Sequence, residues 1–222
     1  MTEPQQPAVP VERTITKTKK KKKLKLRLKV VSKEQNEVDE YQQKSIKNKG
    51  TGAGGSNTNK NGLPYESLTE LNEYYDIIEK HAHGNTIKFK DTEPLFIATK
   101  QGSFIKLMDN ELDKTVDMAH GCKRPDECYI DKKNKRIFII EKKFQQSPGS
   151  VCEKIQSPSF KIWQYGRMFP EFKIVYIYCL SDWFKENCKS EILYFHEMNY
   201  PIFWGNSKTY KEDMVKFLVN YK

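Results

Sequence analysis

The chain of 222 residues contains no run of about 18 apolar residues, so no transmembrane helix is expected. Its N-terminus lacks the apolar core of a secretory signal, so secretion is not expected either. There is no C-x-x-C pair, and the five cysteines (Cys122, Cys128, Cys152, Cys179, Cys188) are odd in number. Both features point to a reduced intracellular compartment, cytoplasm or nucleus, rather than to a disulfide framework. His120 with Cys122 and Cys128 matches the spacing of no common zinc module. No internal repeat is present.

Acidic charge is also scarce, but only at one end. The net charge is +10, and through Lys60 there are 15 Lys and Arg against 6 Asp and Glu, whereas the remainder holds 24 against 23. The basicity therefore belongs to the first part of the chain, and the rest is nearly neutral. Residues 1–62 open with Pro and Gln, run through Lys19 to Lys23 and end in a Gly/Ser/Asn/Lys stretch from 49 to 62. This composition predicts a disordered lysine-rich tail and linker, followed by one domain over 63–222. Lys23–Val30 alternates like a strand but has no obvious partner. Such an arm suits sequence-independent phosphate binding, nuclear import or simple solubilisation.

Within the domain, Ser67 and Glu70 form a capping box, and Leu68, Leu71, Tyr75 and Ile78 follow at helical spacing. A helix closing at Gly84 is expected, with that stripe in the core and no site role for Glu70 or Glu73. Thr86–Lys90 and Leu95–Thr99 read as short strands, and 102–118 as a helix through Phe104, Leu107, Leu112 and Val116. Ser157 and Pro158 suit the start of a helix reaching Phe169, which Pro170 stops. Lys173–Leu180 is near-continuously apolar, as a buried parallel strand requires. A helix over 182–198, a strand at Pro201–Trp204 and a helix from Lys211 to Val219 complete an α/β reading, a mixed sheet flanked by helices.

Chemistry concentrates between residues 124 and 146. A short strand after Pro125-Asp126 leads through a polar turn centred on Lys133-Asn134 into Ile137–Ile140, which ends in Glu141-Lys142-Lys143. Pairing outward from that turn sets Ile130 opposite Ile137 and Asp126 opposite Glu141. Period-two alternation puts Glu141, Lys143 and Gln145 on one face. Two facing carboxylates repel unless a divalent cation lies between them, and oxygen ligands suit magnesium. A lysine two residues from such a Glu can steady an attacking water or developing phosphoryl charge. The bland counterpart is a solvated charged face of a hairpin. Arg167, on an exposed face of the helix after the hairpin, is a candidate phosphate contact. Trp183 and Trp204 suit a core or a cleft equally.

Pro125-Asp126 followed by Glu141-x-Lys143 resembles the signature of the PD-(D/E)XK nuclease superfamily. The continuation Gln145, Gly149-Ser150 and Glu153-Lys154-Ile155 is similar to type II restriction endonucleases. The resemblance spans about residues 61 to 205, with its specific part at 121–165. It implies a restriction-endonuclease-like core of order αβββαβ. It also implies a Mg2+-dependent DNA endonuclease, with Mn2+ able to substitute, in which Asp126 and Glu141 hold the metal and Lys143 assists the water. Gln145 and Lys154 are implied near the scissile phosphate, and a homodimer acting on DNA is implied for double-strand cutting. The contrasting expectation is a non-catalytic nucleic-acid-binding module, or an inactive relative, that acts through the basic tail.

Overall fold

A computed structural model describes residues 56–115, 124–147 and 151–222. Its backbone is a seven-stranded mixed sheet whose spatial order is its chain order. The strands are β1 (Tyr75–His81), β2 (Gly84–Phe89), β3 (Leu95–Thr99), β4 (Glu127–Asp131), β5 (Arg136–Lys143), β6 (Lys173–Leu180) and β7 (Ile202–Trp204). β1 to β5 form an antiparallel meander, whereas β5, β6 and β7 run parallel. The helices are α1 (Ser56–Leu68), α2 (Gln101–Leu107), α3 (Val151–Ile155), α4 (Pro158–Met168), α5 (Trp183–Asn187), α6 (Lys189–Glu197) and α7 (Tyr210–Asn220). The α/β class and the mixed sheet are as expected. Among the described residues, no helix is long and apolar enough to cross a membrane.

Strand alternation sorts two cores. Cys128, Ile130, Ile137, Ile139, Tyr176 and Tyr178 face one side, where they pack with Phe104, Tyr165 and Phe195 from α2, α4 and α6. Tyr129, Phe138, Ile140, Val175 and Ile177 face the other, against Tyr65 of α1 and Tyr210, Met214 and Leu218 of α7. The central strands β5 and β6 are buried on both faces, which is why they read as continuous apolar runs. The hairpin register is the one expected from the turn: Ile130 pairs with Ile137 and Glu127 with Ile140. Asp131 closes the turn by accepting from the Asn134 backbone N–H at 3.0 Å and its side-chain amide at 2.7 Å.

Five expectations need correction. The helix expected from Ser67 to Gly84 is absent: α1 ends at Leu68 and Tyr75–His81 is strand β1. Of the supposed stripe, Leu71 is buried but Leu68 and Ile78 are exposed. Ladder pairing with β2 supplies what the helical spacing did not, and β-branched Ile77 and Ile78 favour the extended chain. Gly84 opens β2 instead of closing a helix, and glycine is required there because a Cβ would stand 2.8 Å from the Ala98 carbonyl oxygen. The second correction is that α1 begins at Ser56, inside the stretch read as linker. Third, the helix expected over 102–118 is shorter, Gln101–Leu107 plus a 3-10 turn at Asp109–Glu111. The helix over 182–198 is likewise broken into α5 and α6 at Cys188, whose φ of −126° and ψ of 51° interrupt the helical run.

Cysteine chemistry is the fifth correction. Cys152 of α3 and Cys188 form a disulfide across 36 residues, so the all-reduced expectation fails for this pair. Cys128 and Cys179 are free and buried. His120, Cys122, Val116 and the 1–55 tail, with its strand-like Lys23–Val30, lie outside the described residues, as do Gly149 and Ser150.

Candidate active site

The parallel strands β5, β6 and β7 end at one edge of the sheet, which β4 enters from the loop carrying Asp126. Ligand sites of open α/β sheets form outside the carboxyl ends of such strands. Glu141 and Lys143 occupy that end of β5, and Lys143 Nζ lies 2.5 Å from Glu141 Oε1. Asp126 is anchored across the hairpin, its Oδ2 accepting the Lys142 backbone N–H at 2.8 Å. Asp126, Glu141 and Lys143 thus meet as the sequence pattern anticipates.

Two further groups complete the Glu141 environment. Lys161, in the first turns of α4, puts its ammonium 3.3 Å from Glu141 Oε1. Tyr176 of β6 donates its hydroxyl to Glu141 Oε2 at 3.0 Å and accepts from Lys161 Nζ at 2.6 Å. Lys161 is buried although it is the one charged residue between Pro158 and Gly166. Its placement follows from chain direction. α4 runs back along the sheet, so its start returns to the end of β5. Lys161 then shares an inward stripe with Tyr165 and Met168 at helical spacing.

The electrostatics separate the two carboxylates. Burial, and then the Glu141 charge, push the Asp126 carboxyl above its ordinary range, against the opposing pull of the Lys142 N–H and Lys143. Burial works in the same sense on Glu141, but Lys143, Lys161 and the Tyr176 hydroxyl outweigh it and hold that carboxyl below its usual value. Burial depresses Lys143, yet Glu141, Asp126 and Glu66 reverse this and raise it. Glu66 of α1 also feels the cluster: burial first, then Asp126, raise its carboxyl against Lys142 and Lys143. Lys161, Tyr176 and Glu66 were not anticipated from sequence, whereas Glu70, set aside there, instead pairs with Lys100 at 2.9 Å.

The opposite face carries a structural ion pair. Lys142 Nζ lies 2.7 Å from Glu127 Oε2, both side chains are almost fully buried, and Lys142 also donates to the Glu66 carbonyl at 3.0 Å. Glu127 Oε1 accepts from the Tyr129 hydroxyl and from the Leu71 N–H. These bonds tie α1 and the segment after it to the hairpin.

Other candidates stand at varying distance. Gln145 is held through its backbone, its N–H donating to Ser181 Oγ and its carbonyl accepting from the same hydroxyl, both at 3.1 Å. Its side-chain amide turns to the Ser147 carbonyl. Lys154 is exposed on α3, a helix held by the Tyr178 hydroxyl donating to the Ile155 carbonyl at 3.1 Å. Arg167 lies six residues beyond Lys161, roughly 9 Å along the helix. It interacts with Asp113 there and is not part of the carboxylate cluster.

No protein-family model, curated protein or solved structure matches the chain.

The donor set fits a hard divalent cation. Glu141 offers lone pairs beyond those used by Lys143, Lys161 and Tyr176, and Asp126 has a second oxygen besides the one bound to Lys142. Burial is the larger cause of the Asp126 rise, and the repulsion from Glu141 that adds to it is what a cation between the two groups would relieve.

Proposed function

We propose that this protein is a magnesium-dependent DNA endonuclease of the PD-(D/E)XK type. The observation that carries the reading is the convergence of Asp126, Glu141 and Lys143 at the carboxyl end of β5, with opposite pKa displacements on the two acids. Buried acids brought together with perturbed pKa values cluster at functional sites, and a cation shared by both would offset their burial and repulsion. The chain order also supports it. With β1, β2, α2 and α3 set aside as additions, α1, the antiparallel strands β3, β4 and β5, the α4 crossover and parallel β6 follow the αβββαβ order expected of a restriction-endonuclease-like core.

Asp126 and Glu141 would hold Mg2+, or Mn2+ in its place. The ion would supply a water of lowered pKa and neutralise charge on the scissile phosphate. The Lys143 ammonium would orient the attacking water and stabilise the charge that develops on the phosphoryl oxygens. Lys161 and Tyr176 hold Glu141 ionised and aimed. The water oxygen forms a new P–O bond as the P–O bond to the leaving sugar oxygen breaks. The water gives a proton to solvent and the leaving oxygen takes one from it. Because water attacks directly, no covalent protein intermediate forms. Paired cuts on both strands would call for a homodimer.

The test is incubation of the purified protein with duplex, branched and single-stranded DNA in Mg2+, with EDTA in parallel. Cleavage that EDTA abolishes agrees with the proposal. Binding without cleavage of any of these DNAs would favour a nucleic-acid-binding module that acts through its basic tail.

A further inference from the structure

A cavity of about 530 Å³ opens at the same sheet edge, on the α1 side of the sheet. Its floor includes Tyr75, Asn85 and Tyr129, and its walls include Glu70, Asn72 and the turn through His83. Glu127 lines it too, one residue from Asp126. Alternation turns these neighbouring acids to opposite faces, so the cavity and the carboxylate cluster are separated by one peptide unit. The Gln101 N–H, which donates to the Pro125 carbonyl at 2.7 Å, ties the cavity rim at Lys100 to the Asp126 loop.

The lining chemistry selects its occupant. Glu70 accepts from Lys100 at 2.9 Å and from the Asn72 amide at 2.6 Å, and Glu127 adds a second acid already paired with Lys142. Two carboxylates disfavour a phosphate or any other anion. The Asn85 side-chain amide has no hydrogen-bond partner among the described residues, and so offers a donor and an acceptor to a ligand. Tyr75 supplies an aromatic surface to the floor, backed by the buried Tyr129 ring that it meets edge-on with centroids 6.5 Å apart. A cavity lined by both an amide and a carboxylate acceptor suits a planar heterocycle that carries an exocyclic amine, as adenine and cytosine do.

We propose that this cavity receives an adenine or cytosine turned out of the helix beside the scissile phosphate. The inference rests on the nuclease reading above. Extruded bases are read by hydrogen bonds to their edge and by packing on aromatic or apolar side chains, the roles open here to Asn85, Glu70 and Tyr75. The turn of the β1–β2 hairpin would then set which base is accepted.

The test uses the full chain, a duplex library randomised around the mapped cut, and the variants Asn85→Leu and Glu70→Gln. The wild type is expected to prefer A or C at one position by at least tenfold, and both variants to lose most of that preference while still cutting. A second measurement places 2-aminopurine at each position of a duplex bound by Glu141→Ala protein. Emission should change at one position, and that change should vanish when Asn85→Leu is added. Wild-type cleavage with no preference for A or C, or with a preference untouched in both variants, overturns the cavity proposal and leaves the nuclease reading standing. No cleavage by the wild type, with no emission change at any position, removes both.

Discussion

Lys161 Nζ lies 3.3 Å from Glu141 Oε1, although one residue ends a strand and the other begins the second helix after it. Tyr176 bridges them, which makes Glu141 the acceptor of two ammonium groups and one hydroxyl. A carboxylate held in this way needs no metal to remain ionised, so its direction and charge are set before substrate arrives.

Removing one part of that clamp should therefore be felt in both stability and rate. Tyr176→Phe deletes the bridging hydroxyl between two buried charges. A loss of roughly 1–3 kcal/mol is expected in urea denaturation. Cleavage should fall by about 10- to 100-fold through a lower kcat, as a positioning role requires. An unchanged kcat with unchanged stability would remove Tyr176 from the account.

The two acids should respond oppositely to neutralisation. Asp126 is raised above its ordinary 3.8, so the stability it contributes is present below that value and lost as pH rises through its folded pKa. Glu141 is lowered from 4.5, so its contribution is present above that value and lost as pH falls through its folded pKa. In EDTA at neutral pH, Asp126→Asn should raise the melting temperature and Glu141→Gln should lower it. Thermal scans at pH 7 check the signs, and two shifts of the same sign would contradict the electrostatic argument.

The Lys142–Glu127 pair makes a separate prediction, away from the reacting groups. Lys142→Met leaves Glu127 buried and uncompensated and should cost about 3–5 kcal/mol. The double variant Lys142→Met/Glu127→Gln should recover much of that loss. Denaturant titration of both proteins reads the difference.

Closing a 36-residue loop, the Cys152–Cys188 bond should contribute about 3–4 kcal/mol. Adding a thiol reductant, or substituting Cys152→Ser, should lower the denaturation midpoint by equivalent amounts. Identical midpoints with and without reductant would show that the bond does not form in solution.

How much of this was legible in the sequence depended on how locally each feature is encoded. The hairpin was, because a polar turn between two alternating runs fixes Ile130 opposite Ile137 and brings Asp126 beside Glu141. β6 and α4 were also legible, one from its continuous apolar run and the other from Ser157-Pro158 and the stop at Pro170. Tyr75–His81 was not: Leu71, Tyr75 and Ile78 fit a helical period, and the strand forms only because β2 pairs with it. Lys161, Tyr176 and Glu66 join the site through chain direction and packing, which no local spacing encodes. One signal did exist, since Lys161 is a lone charge on the apolar stripe of α4, and such a residue requires a buried partner. The disulfide had none, because a separation of 36 residues between two of five cysteines specifies no pairing.

The most direct test of the central claim compares three proteins on one DNA substrate in Mg2+: the full chain, the full chain with Lys143→Ala, and a truncation lacking residues 1–55. The account predicts that the first cuts and the second does not. The third should cut with weaker, less salt-sensitive affinity, because the chemistry resides at β5 and the basic tail only adds phosphate contacts. Cleavage that survives Lys143→Ala, or activity and binding that both vanish with the tail alone, would contradict it.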